Sequence, residues 1–163
     1  MSILDADQLE NAYIVVYQNA IELLEEAKIL YDNERYARAY FLAQISFEEI
    51  GKLPIILHET TRATFEEEHD WKKFYKRLRS HTAKNQMNVI FNTFLENPNL
   101  NWDFKEIKDE VKRLNILKNA SLYSDLDERK FVKPSSVVSK DSAHSRIQVA
   151  ESHLEVGSVK NFV

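Results

Sequence analysis

Glycine and proline are nearly absent from this chain, with two Gly and three Pro in 163 residues. A sheet-rich protein of that length needs repeated tight hairpins, whose turns demand positive φ and draw on glycine. The deficit predicts an all-α fold. A chain this long buries roughly 68–70% of its unfolded surface without covalent staples. Its 44% hydrophobic and 29% charged residues are those of an ordinary globular protein rather than a disordered or membrane chain. Cysteine is absent, which removes disulfides, thiolate chemistry and cysteine-held metals and fits a reducing compartment. No apolar run approaches the roughly 20 residues of a membrane span, and the first residues lack the basic and apolar regions of a signal peptide. The expected location is cytoplasmic, with no membrane partner.

Charge is unevenly divided. Residues 1–70 hold 15 acids and 5 bases, and residues 71–163 hold 11 acids and 17 bases. The segment Trp71–Lys84 carries Lys72, Lys73, Lys76, Arg77, Arg79 and Lys84 with no acid. Interleaved with Trp71, Phe74 and Tyr75, these cations could neutralise phosphates while the rings stack on bases. The plainer reading is a solvated helix face packed against the acidic half.

Apolar residues Leu9, Tyr13, Val16, Ala20, Leu23, Ala27 and Leu30 recur every three or four positions and predict one long helix that ends at Asp32-Asn33. A second helix is expected over residues 34–57, apolar on two sides and therefore central in a bundle, with Gly51 and Pro54 bending its end. Thr64-Phe65-Glu66-Glu67 fits a capping box, which predicts a third helix from about residue 65 to 95. Phe104, Ile107, Val111, Leu114 and Leu117 mark a shorter fourth helix, residues 119–138 read as irregular, and a last helix is expected over 140–156. The expected layout is a bundle over 1–125, with an irregular segment and C-terminal helix over 126–163 packing on it. The apolar surface of the second helix, together with the aromatics of the third, exceeds what four short-looped helices cover, which predicts a homodimer.

Two clusters on these helices could carry chemistry. Glu48 and Lys52 have the i,i+4 spacing of an exposed pair. Glu49 falls on an apolar stripe with Arg38, where a carboxylate needs a partner, so a buried Glu49–Arg38 pair is expected. It would either lock two helices or orient a catalytic group. His81 lies between an apolar stripe and a polar one holding Arg77, Lys84 and Asn88, half buried beside cations that favour neutral imidazole, a group able to accept a proton. A histidine so placed is more often a packing or capping residue. His58-Glu59-Thr60-Thr61-Arg62 lacks the second histidine of a zinc helix, Glu66-Glu67-Glu68-His69 is a single Glu-x-x-His where a di-iron bundle needs two, and Gly51-Lys52 lacks the preceding glycine of a P-loop. No metal or cofactor is expected.

The segments Asn19-Ala20-Ile21-Glu22-Leu23-Leu24-Glu25-Glu26-Ala27, Arg35-Tyr36-Ala37-Arg38-Ala39-Tyr40, Phe47-Glu48-Glu49-Ile50-Gly51-Lys52, Arg79-Ser80-His81-Thr82-Ala83-Lys84 and Leu122-Tyr123-Ser124-Asp125 together resemble the AbiV-like abortive-infection proteins of the HEPN superfamily. The resemblance covers most of residues 10–125. It implies an all-α bundle of four to five helices, usually a homodimer, and a role in antiphage defence. Many superfamily members are metal-independent endoribonucleases in which an Arg and a His on one helix act on the 2′-hydroxyl and the phosphate. There the two are separated by four to six residues. Here Arg77 and His81 are separated by three, Lys76 stands at four, and Arg62 and His69 match the spacing in an acid-rich stretch.

The leading expectation is an RNA-cleaving toxin that shuts down translation, with His81 as general base, Arg77 and Lys84 as phosphate-stabilising cations and Glu49 as orienter. Lys72, Lys73, Lys76, Arg79 and Tyr123 would contact RNA, and Arg38, Glu48, Lys52 and Asp125 would support the site. The alternative is a non-catalytic protein of the same fold that binds RNA, the ribosome or a phage protein.

Overall fold

The computed structural model describes residues 3–65, 67–96, 103–127 and 130–157. It is an all-α bundle in chain order α1 (Ala6–Asp32), α2 (Tyr36–Ile50), α3 (Leu53–Thr64), α4 (Trp71–Arg79), α5 (His81–Glu96), α6 (Phe104–Leu122), a hairpin of β1 (Asp125–Asp127) and β2 (Lys130–Val132), α7 (Pro134–Val137) and α8 (Lys140–Val156). The long first helix starts earlier than its apolar pattern, because Asp5 and Gln8 form a reciprocal capping box. Asn33 closes it, donating from its side chain to the Ile29 carbonyl at 2.8 Å.

Helix α2 is the centre of the bundle and packs against α1, α5, α6, α7 and α8. One of its stripes, Tyr40, Ala43, Phe47 and Ile50, is fully buried, whereas Phe41, Leu42 and Ile45 on the other are only half-buried. Close packing follows from small residues: Ala20 and Ala27 of α1, Ala39 and Ala43 of α2, and Ala143 and Ala150 of α8 have no exposed surface and share one core. Ser46 adds to the α1 contact, donating to the Ala20 carbonyl at 2.7 Å. A second, smaller core joins Leu9, Ile55, Ile56 and Phe74 beneath the start of α1, α3 and α4.

Three boundaries differ from expectation. The second helix does not run to residue 57 but breaks at Gly51-Lys52, where the chain turns into α3 with Pro54 in its first turn. Thr64 is not a helix start. It is the last residue of α3, its hydroxyl bonded back to the Thr60 carbonyl at 3.0 Å, and α4 is capped by Asp70, which accepts from the Lys73 amide at 2.9 Å. The expected third helix is in fact two, parted at Ser80, whose backbone is extended. The stretch read as irregular holds the end of α6 and a hairpin with Leu126 opposite Phe131. Helix α8 has the expected bounds and packs on α1 and α2. Among the described residues no helix is long and apolar enough to cross a membrane.

Gly51 is required by a close approach rather than by its backbone angle, since its φ is −62°. A Cβ there would meet the Lys84 carbonyl oxygen of α5 and lie 2.8 Å from the Asn88 amide nitrogen. Gly51→Ala should push α5 outward and cost about 1–3 kcal/mol, the range for overpacking. An unchanged urea midpoint would show that the contact yields freely.

His153 of α8 is buried between the rings of Phe47 and Phe91, with centroids 5.0 and 5.3 Å away. Burial, aided by the Arg146 charge, lowers its pKa from 6.5 to about 4. Between those values the unfolded chain binds a proton that the folded chain refuses, so stability falls as pH drops from 6.5 to 4. The loss should total about 3 kcal/mol. His153→Gln should flatten the urea midpoint over that window; an equal decline in parent and variant would exclude this residue as the cause.

Candidate active site

The inward face of α5 is polar. Lys84, Asn85 and Asn88, at three- and four-residue spacing, are at most 5% exposed, and they meet an equally buried polar edge of α2 made by Gln44 and Glu48. Most buried polar groups are hydrogen-bonded, and here they form a ladder. Gln44 donates to the Asn85 side-chain oxygen at 3.1 Å, Asn85 donates to Glu48 Oε1 at 3.2 Å, and Asn88 donates to the Phe47 carbonyl.

Glu48, 1% exposed, is the hub. Lys118 of α6 donates from Nζ to its Oε1 at 2.9 Å, Lys84 Nζ lies 3.6 Å from Oε2, and His81 Nδ1 bonds to Oε2. Burial raises the Glu48 pKa, but the bonds and charges from His81 and Lys118 outweigh it and hold the carboxyl below its ordinary range. Burial lowers the Lys84 pKa, and Glu48 opposes that shift. Unlike the rest of the cluster, the His81 side chain is 59% exposed. Ser80 explains its position: its hydroxyl accepts from the Ala83 amide at 3.1 Å, so α5 begins at His81 and the ring stands at the rim of the buried ladder. With Nδ1 committed to a carboxylate, Nε2 is the free nitrogen of an accessible imidazole.

The expected site residues are placed as follows. The carboxylate against His81 is Glu48, not Glu49. Glu49 is neither fully buried nor paired with Arg38; it accepts from Asn19 at 3.1 Å and pairs with Lys52, because Lys52 lies in the turn after α2 beside it. The expected Glu48–Lys52 surface pair does not form, since Glu48 points inward. Arg38 is exposed and donates to the Leu122 carbonyl at 2.8 Å. Arg77 and His81 do not share a helical face, because extended Ser80 separates their helices; Arg77 instead contacts Met87 Sδ at 3.6 Å. Lys84, expected to face a phosphate, is inside the ladder.

Lys72, Lys73, Lys76, Arg79 and Tyr123 are exposed, with the Arg79 guanidinium 5.9 Å from the Tyr75 ring centroid. Phe74 is in the core and Trp71 stacks on His69 at 4.8 Å, so neither ring is a free stacking platform. Asp125 is exposed and accepts from the Leu126 amide at 2.7 Å. His69 bonds to buried Glu59 at 2.9 Å while Arg62 reaches Glu67 at 3.3 Å, so each of this spaced pair answers to its own carboxylate. Among the described residues no three His, Asp or Glu side chains converge to hold a metal.

Sequence reading missed Lys118 and Asn85. Lys118 continues the Ile107, Val111, Leu114 stripe of α6 at three- and four-residue spacing, and a lysine on an apolar stripe is the same signal that singled out Glu49. Asn85 adjoins Lys84 on a stripe whose polarity suggested solvent.

Searches of characterised proteins and of solved structures returned no match. A family model described as AbiV, of the HEPN group, matches residues 8–155. That span takes in both faces of the ladder, the accessible histidine and the α6 lysine, and the chain belongs to the AbiV family of HEPN proteins.

Proposed function

We propose that the protein is an abortive-infection RNase that cleaves RNA without a metal and so halts translation in the infected cell, with His81 as base and Glu48 as its positioning residue. The observation that supports this reading is an accessible imidazole whose Nδ1 is held by a buried, ionised carboxylate. In the reaction Nε2 takes the proton of a ribose 2′-hydroxyl, and the 2′-oxygen forms a bond to the adjacent phosphorus. The bond from phosphorus to the 5′-oxygen breaks, that oxygen takes a proton from water, and the hydroxide so formed takes back the proton held on Nε2. Glu48 stabilises the imidazolium that results. Lys118, 2.9 Å from Glu48 and 3.5 Å from His81 Nδ1, and Lys84 leave the buried cluster with more positive than negative charge beneath the phosphate.

The test is incubation of purified protein with total cellular RNA in EDTA, with and without lysate from infected cells. Fragments ending in 2′,3′-cyclic phosphate are expected. RNA left intact under both conditions, while the protein still binds it, favours a binding protein of the same fold that engages RNA, ribosome or a phage protein.

The active form is proposed to be a homodimer located in the cytoplasm. Ile116, Leu126 and Phe131 are 58–79% exposed on α6 and the hairpin, apolar surface suited to a second copy. Light scattering at micromolar concentration should give twice the chain mass, and a monomer mass would exclude it.

A further inference from the structure

Away from His81, a cavity of about 460 Å³ opens between the turn that joins α1 to α2 and the start of α7. Arg35, Arg38 and Lys133 line it, against one acid, Glu34. Arg35 and Lys133 are exposed, and Arg38 spends one donor on the Leu122 carbonyl, leaving others of its five for a ligand. Ser124 also lines the cavity, and the residue before it, Tyr123, is 63% exposed.

The cavity and the His81 cluster lie along one seam. Helices α2 and α6 meet at Glu48 and Lys118 in the cluster and again at Arg38 and Leu122 beside the cavity. On α2 the ten steps from Arg38 to Glu48 span about 15 Å. A stacked strand covers that distance with about four to five nucleotides at ~3.4 Å each. Resting on the RNA-cleaving reading, we propose that this cavity is a distal phosphate subsite: Arg35, Arg38 and Lys133 hold the backbone of a single strand whose scissile bond lies at His81, and Tyr123, next to Ser124 at the cavity, offers a ring for a base. The subsite would make the enzyme prefer strands long enough to reach both points, because a dinucleotide spans only one.

The test is binding of 2′-O-methyl oligonucleotides of two and eight nucleotides, which cannot be cleaved, by fluorescence anisotropy over a range of salt. Arg35→Glu with Lys133→Glu should weaken octamer binding about tenfold or more at low salt and reduce the salt slope by about 1.4, two phosphate contacts' worth for a single strand. Dinucleotide binding should not change, and Arg35→Lys with Lys133→Arg should bind the octamer like the parent. Circular dichroism melts check that both variants fold. Octamer affinity unchanged by charge reversal overturns the proposal, as does equal weakening at both lengths. Inorganic phosphate that competes at the pocket while strand length has no effect would assign it to a free anion and overturn it too. No cleavage step enters the measurement. Loss of octamer binding in a protein that releases no cyclic phosphate ends would fell the nuclease reading alone, and cleavage by a protein whose octamer affinity ignores the variants would fell the subsite alone.

Discussion

His81→Ala should lower the rate of RNA cleavage by about 10²–10⁴-fold, the usual contribution of a positioned general base. Fold and RNA affinity should change little, because the ring is 59% exposed and affinity resides in the cations. The Glu48 carboxylate keeps Lys118 and Asn85 when the ring is lost, so the stability cost should stay near that of one charged hydrogen bond, about 1.5–3 kcal/mol at most. The measurement is single-turnover cleavage of a defined RNA beside a binding isotherm on a non-cleavable analogue. A purely structural histidine predicts the same cost in stability with an unchanged rate per folded molecule. In cells, a His81→Ala variant that protects against phage as well as the parent would remove the base assignment.

The fold was legible where one helix face is apolar over many turns. The long α1 and the whole of α8 follow from three- and four-residue spacing, and the placement of α2 at the centre follows from its two apolar sides. Breaks were legible less often. Gly51 marked a bend but not a new helix, because its role is set by Lys84 and Asn88, residues far away in sequence. Ser80 was missed for a different reason: no glycine or proline interrupts Arg77 to Lys84, and a serine inside a helical pattern does not by itself show that it caps a new helix, as Ser80 caps α5. The hairpin has no glycine in its described strands and too few residues for a period to show.

In the site, the residue types were legible and their partners were not. A polar stripe on a helix ordinarily faces water, and that rule sent Lys84 and Asn88 outward and Glu48 to the surface. Here two polar stripes, one on α2 and one on α5, face each other and bond to each other in the core, with Gln44 Oε1 left without a partner. No property of either helix alone reports that. The choice between Glu48 and Glu49 turned on one step of 100° around α2, which only the packing of α5 and α6 decides. The polar α2–α5 contact also fixes the register that sets His81 against the carboxylate.

Removing that carboxylate should have the largest effect on stability. Glu48→Ala strands Lys118 and Lys84, both with side chains 7% exposed, next to each other and without their counter-ion. Breaking a buried ion pair on one side typically costs about 3–5 kcal/mol. Glu48→Gln keeps the shape and an acceptor for Asn85 and Lys118, so it should cost less while still removing the charge that supports an imidazolium. Cleavage should therefore fall in both variants, whereas stability separates them. Removing the stranded cation as well, in Glu48→Ala with Lys118→Met, should recover part of the loss, a coupling that independent sites would not show. Acid provides a second readout. Because folding lowers the Glu48 pKa below its ordinary 4.5, its contribution is complete above that value and disappears as pH falls through the folded pKa. The parent should thus lose an additional increment of stability below about pH 4.5 that Glu48→Gln does not lose. If Glu48→Ala unfolds at the parent's urea concentration, the ladder contributes nothing net, and the buried polar stripe of α5 would have to be retained for its placement of His81 alone.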